Sequence, residues 1–149
     1  MSTEKERKEV DTRIAYIVPK ACNGDKFAEK YLYNLTYIAR KIDDIYDSDY
    51  EVSKEDIELL FRFLLIDVPS NPFVIKNYNV LLCQHVLIYN CWLHANRWAD
   101  DPDDTKQKHA FVIKEYIVEM IPLVAFLTGG IDYMNKIALE ARELFLSED

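Results

Sequence analysis

The chain has 149 residues, of which 50% are hydrophobic and 13% aromatic, which is enough apolar material for a packed core. Its formal net charge is -8, so we expect no binding to nucleic-acid phosphates or to an anionic membrane surface. Three glycines and five prolines leave long unbroken stretches, which favour helices over closely spaced turns. These features predict a single all-α domain over residues 1–149.

The cysteines and the chain start bear on cellular location. Cys22, Cys83 and Cys91 are odd in number and lack C-x-x-C spacing, which predicts free, buried thiols in a reducing compartment. The first ten residues are charged and lack the apolar centre of a signal peptide. No apolar run reaches roughly 18 residues, the length of a membrane span. We therefore expect a cytoplasmic protein that does not associate with membranes.

The spacing of apolar residues, prolines and capping residues predicts a bundle of five or six helices. In chain order, these helices are expected over residues 3–17 (ending before Pro19), 25–46, 54–66, 72–100, 105–128 and 132–145. We expect residues 1–10 to be frayed in part and the last residues to trail off. The helices over 25–46 and 72–100 should form the centre of the bundle.

Polar residues mark several of the expected helix starts. Asp25, Asn71 and Asp132 each precede a predicted helix and are good N-caps. Ser53 followed by Asp56 has the spacing of a capping box.

Two predicted helices have unusual features. Residues 54–66 are apolar nearly all the way round, so this helix should be sandwiched between others. Pro122 lies inside the 105–128 helix, where it removes a backbone donor and should kink the axis. His85, on the apolar stripe of the 72–100 helix, is most simply a core histidine held by one or two hydrogen bonds.

Acidic residues gather at the end of the 25–46 helix, where the helix dipole disfavours negative charge. Asp43 and Asp47 share a face, and Asp44 lies about 100° round from Asp43. Like charges so placed repel by about 0.2–0.5 kcal/mol per pair. We expect neutralisation by Arg40 and solvent, by a divalent cation, or by a basic protein partner.

A second acidic group ends the 72–100 helix. Asn96, Asp100 and Asp104 lie at every fourth position, although Pro102 disturbs the spacing of the last. Oxygen ligands of this kind suit Mg²⁺ held together with water and phosphate. If the two helices pack side by side, the sequence predicts a Mg²⁺ site that holds a phosphorylated small molecule. Its candidate ligands are Asp43, Asp44, Asp47, Asn96 and Asp100.

Other chemistries have little support in the sequence. There is no G-x-S-x-G elbow and no P-loop, and Gly129-Gly130 is explained as a helix end. The three histidines lack H-E-x-x-H spacing, and the cysteines do not form a zinc set. No catalytic residue is assigned from the sequence.

The stretch Asp43-Asp44-Ile45-Tyr46-Asp47 resembles the D-D-x-x-D signature of class I terpenoid and polyprenyl-diphosphate synthases. The resemblance implies an all-α fold, here a reduced terpenoid-synthase-like bundle, in which the three aspartates hold Mg²⁺ against a substrate diphosphate. That family's second metal motif is not matched, and Asn96-x-x-x-Asp100-x-x-x-Asp104 is a loose echo of it.

A further set of residues extends over most of the chain: Tyr37-Ile38-Ala39-Arg40, Asp43-Asp44, Asn71-Pro72-Phe73, Trp92, Trp98, Phe111 and Gly129-Gly130. In this order the residues are similar to small helical proteins encoded by phages and prophages. The resemblance implies a phage-type cytoplasmic protein without giving a reaction. The pair Glu115 and Glu119 resembles the acidic helix of all-α nucleotide pyrophosphohydrolases, although its four-residue spacing differs from the E-x-x-E of that family.

Two functions therefore remain open from the sequence. The first is a Mg²⁺-binding acidic cleft that holds a phosphorylated small molecule without efficient catalysis. The second is a non-enzymatic interaction protein that docks a basic partner through Asp100, Asp101, Asp103 and Asp104, with its aromatic residues filling the core.

Overall fold

The computed structural model describes residues 3–146, and all regular secondary structure within that range is helical. The all-α prediction is thereby confirmed. The α-helical segments are α1 (Glu4–Ala21), α2 (Lys26–Asp47), α3 (Lys54–Arg62), α4 (Val68–Ser70), α5 (Pro72–Lys76), α6 (Tyr78–Trp98), α7 (Asp104–Lys114), α8 (Met120–Gly129) and α9 (Ile131–Leu146). A π-helical segment, Phe63–Asp67, joins α3 to α4, and a 3-10 segment, Glu115–Glu119, joins α7 to α8.

The helical segments divide the chain more finely than the expected five or six helices. The prediction of one continuous helix over 72–100 is wrong, because Asn77 separates α5 from α6. The Asn77 side chain donates to the carbonyl oxygen of Phe73 at 2.9 Å, next to the backbone bond that the same oxygen accepts. A side chain that competes for a backbone acceptor in this way commonly interrupts a helix.

The predicted 105–128 helix is also interrupted. The chain tightens into the 3-10 segment Glu115–Glu119 just before Pro122. Proline has no N–H to donate to the carbonyl four residues earlier, so the preceding turn has no reason to keep α-helical spacing. The irregularity was expected at this proline, and it lies on the N-terminal side of it.

Helix α1 runs past the position where we expected it to end. It continues through Pro19 to Ala21, and Ala15, whose carbonyl the proline leaves without a donor, lies on the exposed face. At its start Thr3 and Glu6 form a capping box. Residues 1 and 2 of the expected frayed segment, and the expected trailing residues 147–149, lie outside the described range.

Most of the predicted helix caps are confirmed. Asp25 accepts from the backbone of α2, Ser53 and Asp56 form the reciprocal box of α3, and Asn71 caps α5. The prediction for Asp132 is wrong, because α9 already begins at Ile131. The preceding Gly130 has φ +88°, a conformation that glycine adopts without strain and other residues rarely do.

The core lies between α1, α2, α8 and α9, with a contribution from α5. The expectation that 72–100 is central is wrong for α6, of which only Leu81 joins the buried cluster. The sandwiched position expected for 54–66 is also wrong, since Phe61 is 64% and Leu65 61% exposed. A helix that is apolar on all sides can bury any of its faces, so composition alone did not decide which face was covered.

The cysteines are free, as predicted, but their burial differs. Cys22 is buried, whereas Cys91 is half-buried and Cys83 is exposed, which corrects the expectation that all three are buried. Among residues 3–146, no helix combines the length and the apolar character needed to cross a lipid bilayer.

Candidate functional site

An apolar cavity of about 740 Å³ lies between α2 and α6. The π-helical segment and α4 close one side, and the end of α7 with the 3-10 segment closes another. Its lining is mainly aliphatic and aromatic, and consists of Leu35, Ile38, Ala39, Ile42, Asp43, Leu64, Val68, Pro69, Val74, Tyr78, Leu81, Leu82, His85, Ile88, Tyr89, Trp92, Lys114 and Ile117.

The cavity forms because only some of the apolar side chains of α2 pack into the core, while others line the cavity. Tyr31 and Leu32 point into the core, whereas Ile38 and Ile42, about two and three turns further along, line the cavity. The π-helical segment contributes Leu64 to the opposite wall. A π-helical turn has one more residue than an α-helical turn and so re-aims the side chains around it, which is why such turns are frequent at functional sites.

Asp43 lies at the edge of this cavity and is tied to α6. Its Oδ1 accepts a hydrogen bond from the indole Nε1 of Trp92 at 2.7 Å, and the ring of Tyr46 packs edge-on against the indole, with the ring centroids 5.1 Å apart. The acidic end of α2 therefore does meet α6, as the sequence analysis required. The partner it meets is an indole donor, not a second carboxylate.

Asp44 faces the opposite neighbour, α1. Its carboxylate is 2% exposed and accepts hydrogen bonds from both terminal nitrogens of Arg7, with Nη2 2.5 Å from Oδ1 and Nη1 3.2 Å from Oδ2. The same guanidinium stacks on the ring of Tyr50, 3.5 Å from its centroid. The hydrogen bond to Asp44 is the main cause that raises the pKa of Arg7 above its usual value.

The pair between Arg7 and Asp44 was not predicted, and the neutralising contact that was predicted is not formed. Arg40, expected to buffer the aspartates, pairs instead with Asp11 on α1 at 2.7 Å. Asp47 is exposed at the end of α2. Successive helical residues point about 100° apart, so Asp43 and Asp44 necessarily reach different neighbours.

The second acidic group is mostly used locally. Asp103 caps α7, Asp101 pairs with Lys106 at 3.6 Å, and Asp104 pairs with Lys108 at 2.8 Å. Asp100 is exposed in the turn after α6. Capping accounts for Asp103, and ion pairs with nearby lysines account for Asp101 and Asp104.

Asn96 is half-buried, and its Nδ2 has no hydrogen-bond partner within residues 3–146. The structure thus brings one of the five predicted metal ligands, Asp43, to the cavity, and turns Asp44 away from it. Over the described part of the chain, no three His, Cys, Asp or Glu side chains converge as a metal-binding group.

A neutral polar pair joins His85, which lines the cavity, to Tyr31 in the core. The hydroxyl of Tyr31 and Nε2 of His85 are 2.6 Å apart and share a hydrogen bond. Burial raises the pKa of Tyr31 and lowers the pKa of His85, so both side chains are uncharged near neutral pH. His85 is therefore a hydrogen-bonded histidine, as predicted, and it also borders the cavity.

Lys114 is a functional candidate that the sequence analysis missed. It is the cationic member of the lining, at the C-terminal end of α7. A single lysine at a helix end gives no distinct sequence signal, because most such lysines are solvated. The cavity itself had a partial signal, namely an apolar stripe on α2 that continues beyond the residues the core covers.

The remaining features give no alternative site. Glu119, of the proposed acidic pair, is bound by both terminal nitrogens of Arg142, at 2.7 Å and 2.9 Å. A smaller cavity of about 310 Å³, beside the turn between α1 and α2, has a more polar lining that includes Asn23 and Lys76. We assign the site to the larger cavity because ligand pockets are predominantly apolar with a few polar groups.

Comparison of the chain with protein-family models, with curated proteins and with solved structures found no match.

Proposed function

We propose that this protein binds an amphiphilic small molecule, with the apolar part of the ligand in the cavity between α2 and α6. The observation that carries the proposal is the cavity itself. Its volume of about 740 Å³ falls in the range of roughly 300–1,000 Å³ that is usual for ligand sites. Burying a hydrocarbon chain there gains about 25 cal/mol for each Å² of apolar surface removed from water.

The proposed ligand has an anionic head group, and a phosphorylated one is the chemistry to test first. Lys114 supplies a positive charge in the cavity lining, while Asp43 is already occupied by the indole of Trp92. An ammonium group attracts phosphate as a point charge. The resemblance of residues 43–47 to prenyl-diphosphate enzymes makes an isoprenoid chain a suitable apolar tail.

This binding mode does not require Mg²⁺. In the arrangement described above, Asp43 and Asp44 are held by different partners, so they do not present a joint set of oxygen ligands. Binding of Mg²⁺ to the aspartates remains a prediction. Calorimetric titration with Mg²⁺, with and without diphosphate, against the double variant Asp43→Asn/Asp47→Asn tests it.

The binding proposal is tested with a set of ligands that share one hydrocarbon chain and differ in the head group: a phosphate, an alcohol and a quaternary ammonium. Trp92 lines the cavity, so its fluorescence reports occupancy. We expect the phosphate to bind most tightly and the ammonium most weakly. Lys114→Gln should remove the preference of the phosphate over the alcohol while retaining binding of the tail.

A cavity-filling variant supplies the matched control. Ala39→Phe places a ring inside the cavity and should weaken binding of all three ligands, whereas Ala15→Phe, on the exposed face of α1, should not. Equal binding by these two variants would place the ligand elsewhere. A wild-type protein that binds none of the three ligands would refute the proposal.

A further inference from the structure

Helix α6 has a long segment without formal charge. From Asn77 to Asn96 the chain contains no Asp, Glu, Lys or Arg, although such residues make up 30% of the whole sequence. Much of this segment is nevertheless exposed. An exposed helix normally carries charged residues on its outer face, so an uncharged one indicates a surface that is covered in use.

The exposed residues of α6 form a regular stripe. Val80, Cys83, Leu87, Asn90 and His94 follow one another at alternating steps of three and four, and all five are exposed. This is the spacing of the contact seam between two paired helices. At about 100° per residue, the stripe lies on the side of α6 opposite His85 and the cavity.

We propose that the stripe is the contact surface for a second copy of this chain, in a two-fold symmetric dimer with α6 packed against α6. The charge of the chain argues for this surface. Two copies that each carry a net charge of -8 repel one another, so they can approach closely only where the facing surfaces are uncharged. The outer face of α6 meets that condition, and its exposed Val80, Val86 and Leu87 supply apolar area to bury.

The two α6 helices run antiparallel in this dimer. A parallel arrangement would bring both copies of the acidic turn after α6, Asp100 to Asp104, to the same end of the interface. The antiparallel arrangement places each acidic turn near the opposite end of the other α6, next to Lys76, and aligns the helix dipoles favourably. Leu87 is the middle of the five-residue stripe, so it meets its own copy at the two-fold axis.

Charge-reversal variants at Leu87 test this arrangement. Wild-type protein should sediment, or elute with light-scattering detection, at twice the chain mass of 17.6 kDa as its concentration is raised. Leu87→Glu and Leu87→Lys should each sediment as monomers, because each puts two like charges on the axis. Mixing them in equal amounts should restore the dimer. Phe61→Glu and Phe61→Lys, at a similarly exposed apolar position on α3, should leave the dimer intact.

A disulfide cross-link tests the register. Antiparallel pairing about Leu87 places Cys83 level with Cys91 of the other copy and beside Asn90, which lies on the stripe. In a Cys91→Ser background, Asn90→Cys should therefore give a covalent dimer under mild oxidation, and the cross-link should be lost when Cys83→Ser is added. A wild-type chain that is monomeric at all concentrations would overturn the dimer, as would failure of the mixed Leu87 variants to associate. Rapid Cys83 to Cys83 cross-linking in the wild type would overturn the antiparallel register. These outcomes do not depend on ligand binding, since the cavity lies on the other side of α6.

Discussion

Replacing Arg7 by methionine should lower the free energy of unfolding by about 3 kcal/mol, because it leaves a buried carboxylate without its cation. Asp44 is 2% exposed, and both of its oxygens receive hydrogen bonds from the Arg7 guanidinium. Methionine keeps the apolar length of the side chain, so the change removes mainly charge and hydrogen bonds.

The magnitude follows from the distance and the burial. Two unit charges about 4 Å apart attract by about 4 kcal/mol at an effective dielectric constant of about 20. The Arg7 side chain is still 21% exposed, so water screens part of this attraction. Loss of one partner of a buried pair costs roughly 3–5 kcal/mol, and the partial exposure of Arg7 puts this pair at the lower end of that range.

Urea unfolding followed by circular dichroism measures the effect. The double variant Arg7→Met/Asp44→Leu should recover much of the lost stability, because the charge that needed a partner is gone as well. Lys8→Met is the matched control on the same helix, since its pair with Glu4 is 77% and 82% exposed, and it should unfold close to wild type. If Arg7→Met and Lys8→Met unfold at the same urea concentration, this account of the pair is wrong.

Three further predictions concern α6 and the last turn before α9. Trp92→Phe removes the donor to Asp43 and should cost about 1.5–3 kcal/mol of unfolding free energy, whereas Trp92→Phe combined with Asp43→Leu should cost less than the sum of the two single changes. Burial lowers the pKa of His85 from 6.5, so the unfolded chain takes up that proton first, and wild-type stability in thermal unfolding should fall more steeply than that of His85→Gln as the pH is lowered from 6.5. The same slope in both proteins would contradict this linkage. Gly130→Ala forces an alanine to φ +88° and should lower the free energy of unfolding by about 1–3 kcal/mol. A loss of less than about 0.3 kcal/mol, measured by urea unfolding, would contradict the expected backbone strain.

Features that depend on neighbours in the sequence were predicted well. Asp25, Asn71 and the Ser53–Asp56 box cap helices as expected, because each cap joins atoms two or three residues apart. The free state of the cysteines and the hydrogen-bonded His85 also agree with the sequence analysis. The breaks between helices were harder to predict. Asn77 separates α5 from α6 through a side-chain hydrogen bond, and a single asparagine gives only a weak signal in the sequence.

The candidate site was predicted only in part. Asp43 was singled out as a functional residue and does border the cavity, but its partner Trp92 is 49 residues away along the chain, and the partner of Asp44 is 37 residues away. Neither distance is encoded in the local pattern. Lys114 and the apolar walls were missed because an apolar stripe looks the same whether it faces a packed core or a gap.

The all-α class, most helix starts and the acidic end of α2 follow from the sequence by itself, because helical period, caps and charge act over a few residues. The tertiary structure alone decided which face of each apolar helix is covered, which neighbour takes each aspartate, and where the cavity and the exposed stripe of α6 lie. The physical reason is that these outcomes depend on contacts between distant segments, and a helix that is apolar on several sides gains similar free energy from burying any of them.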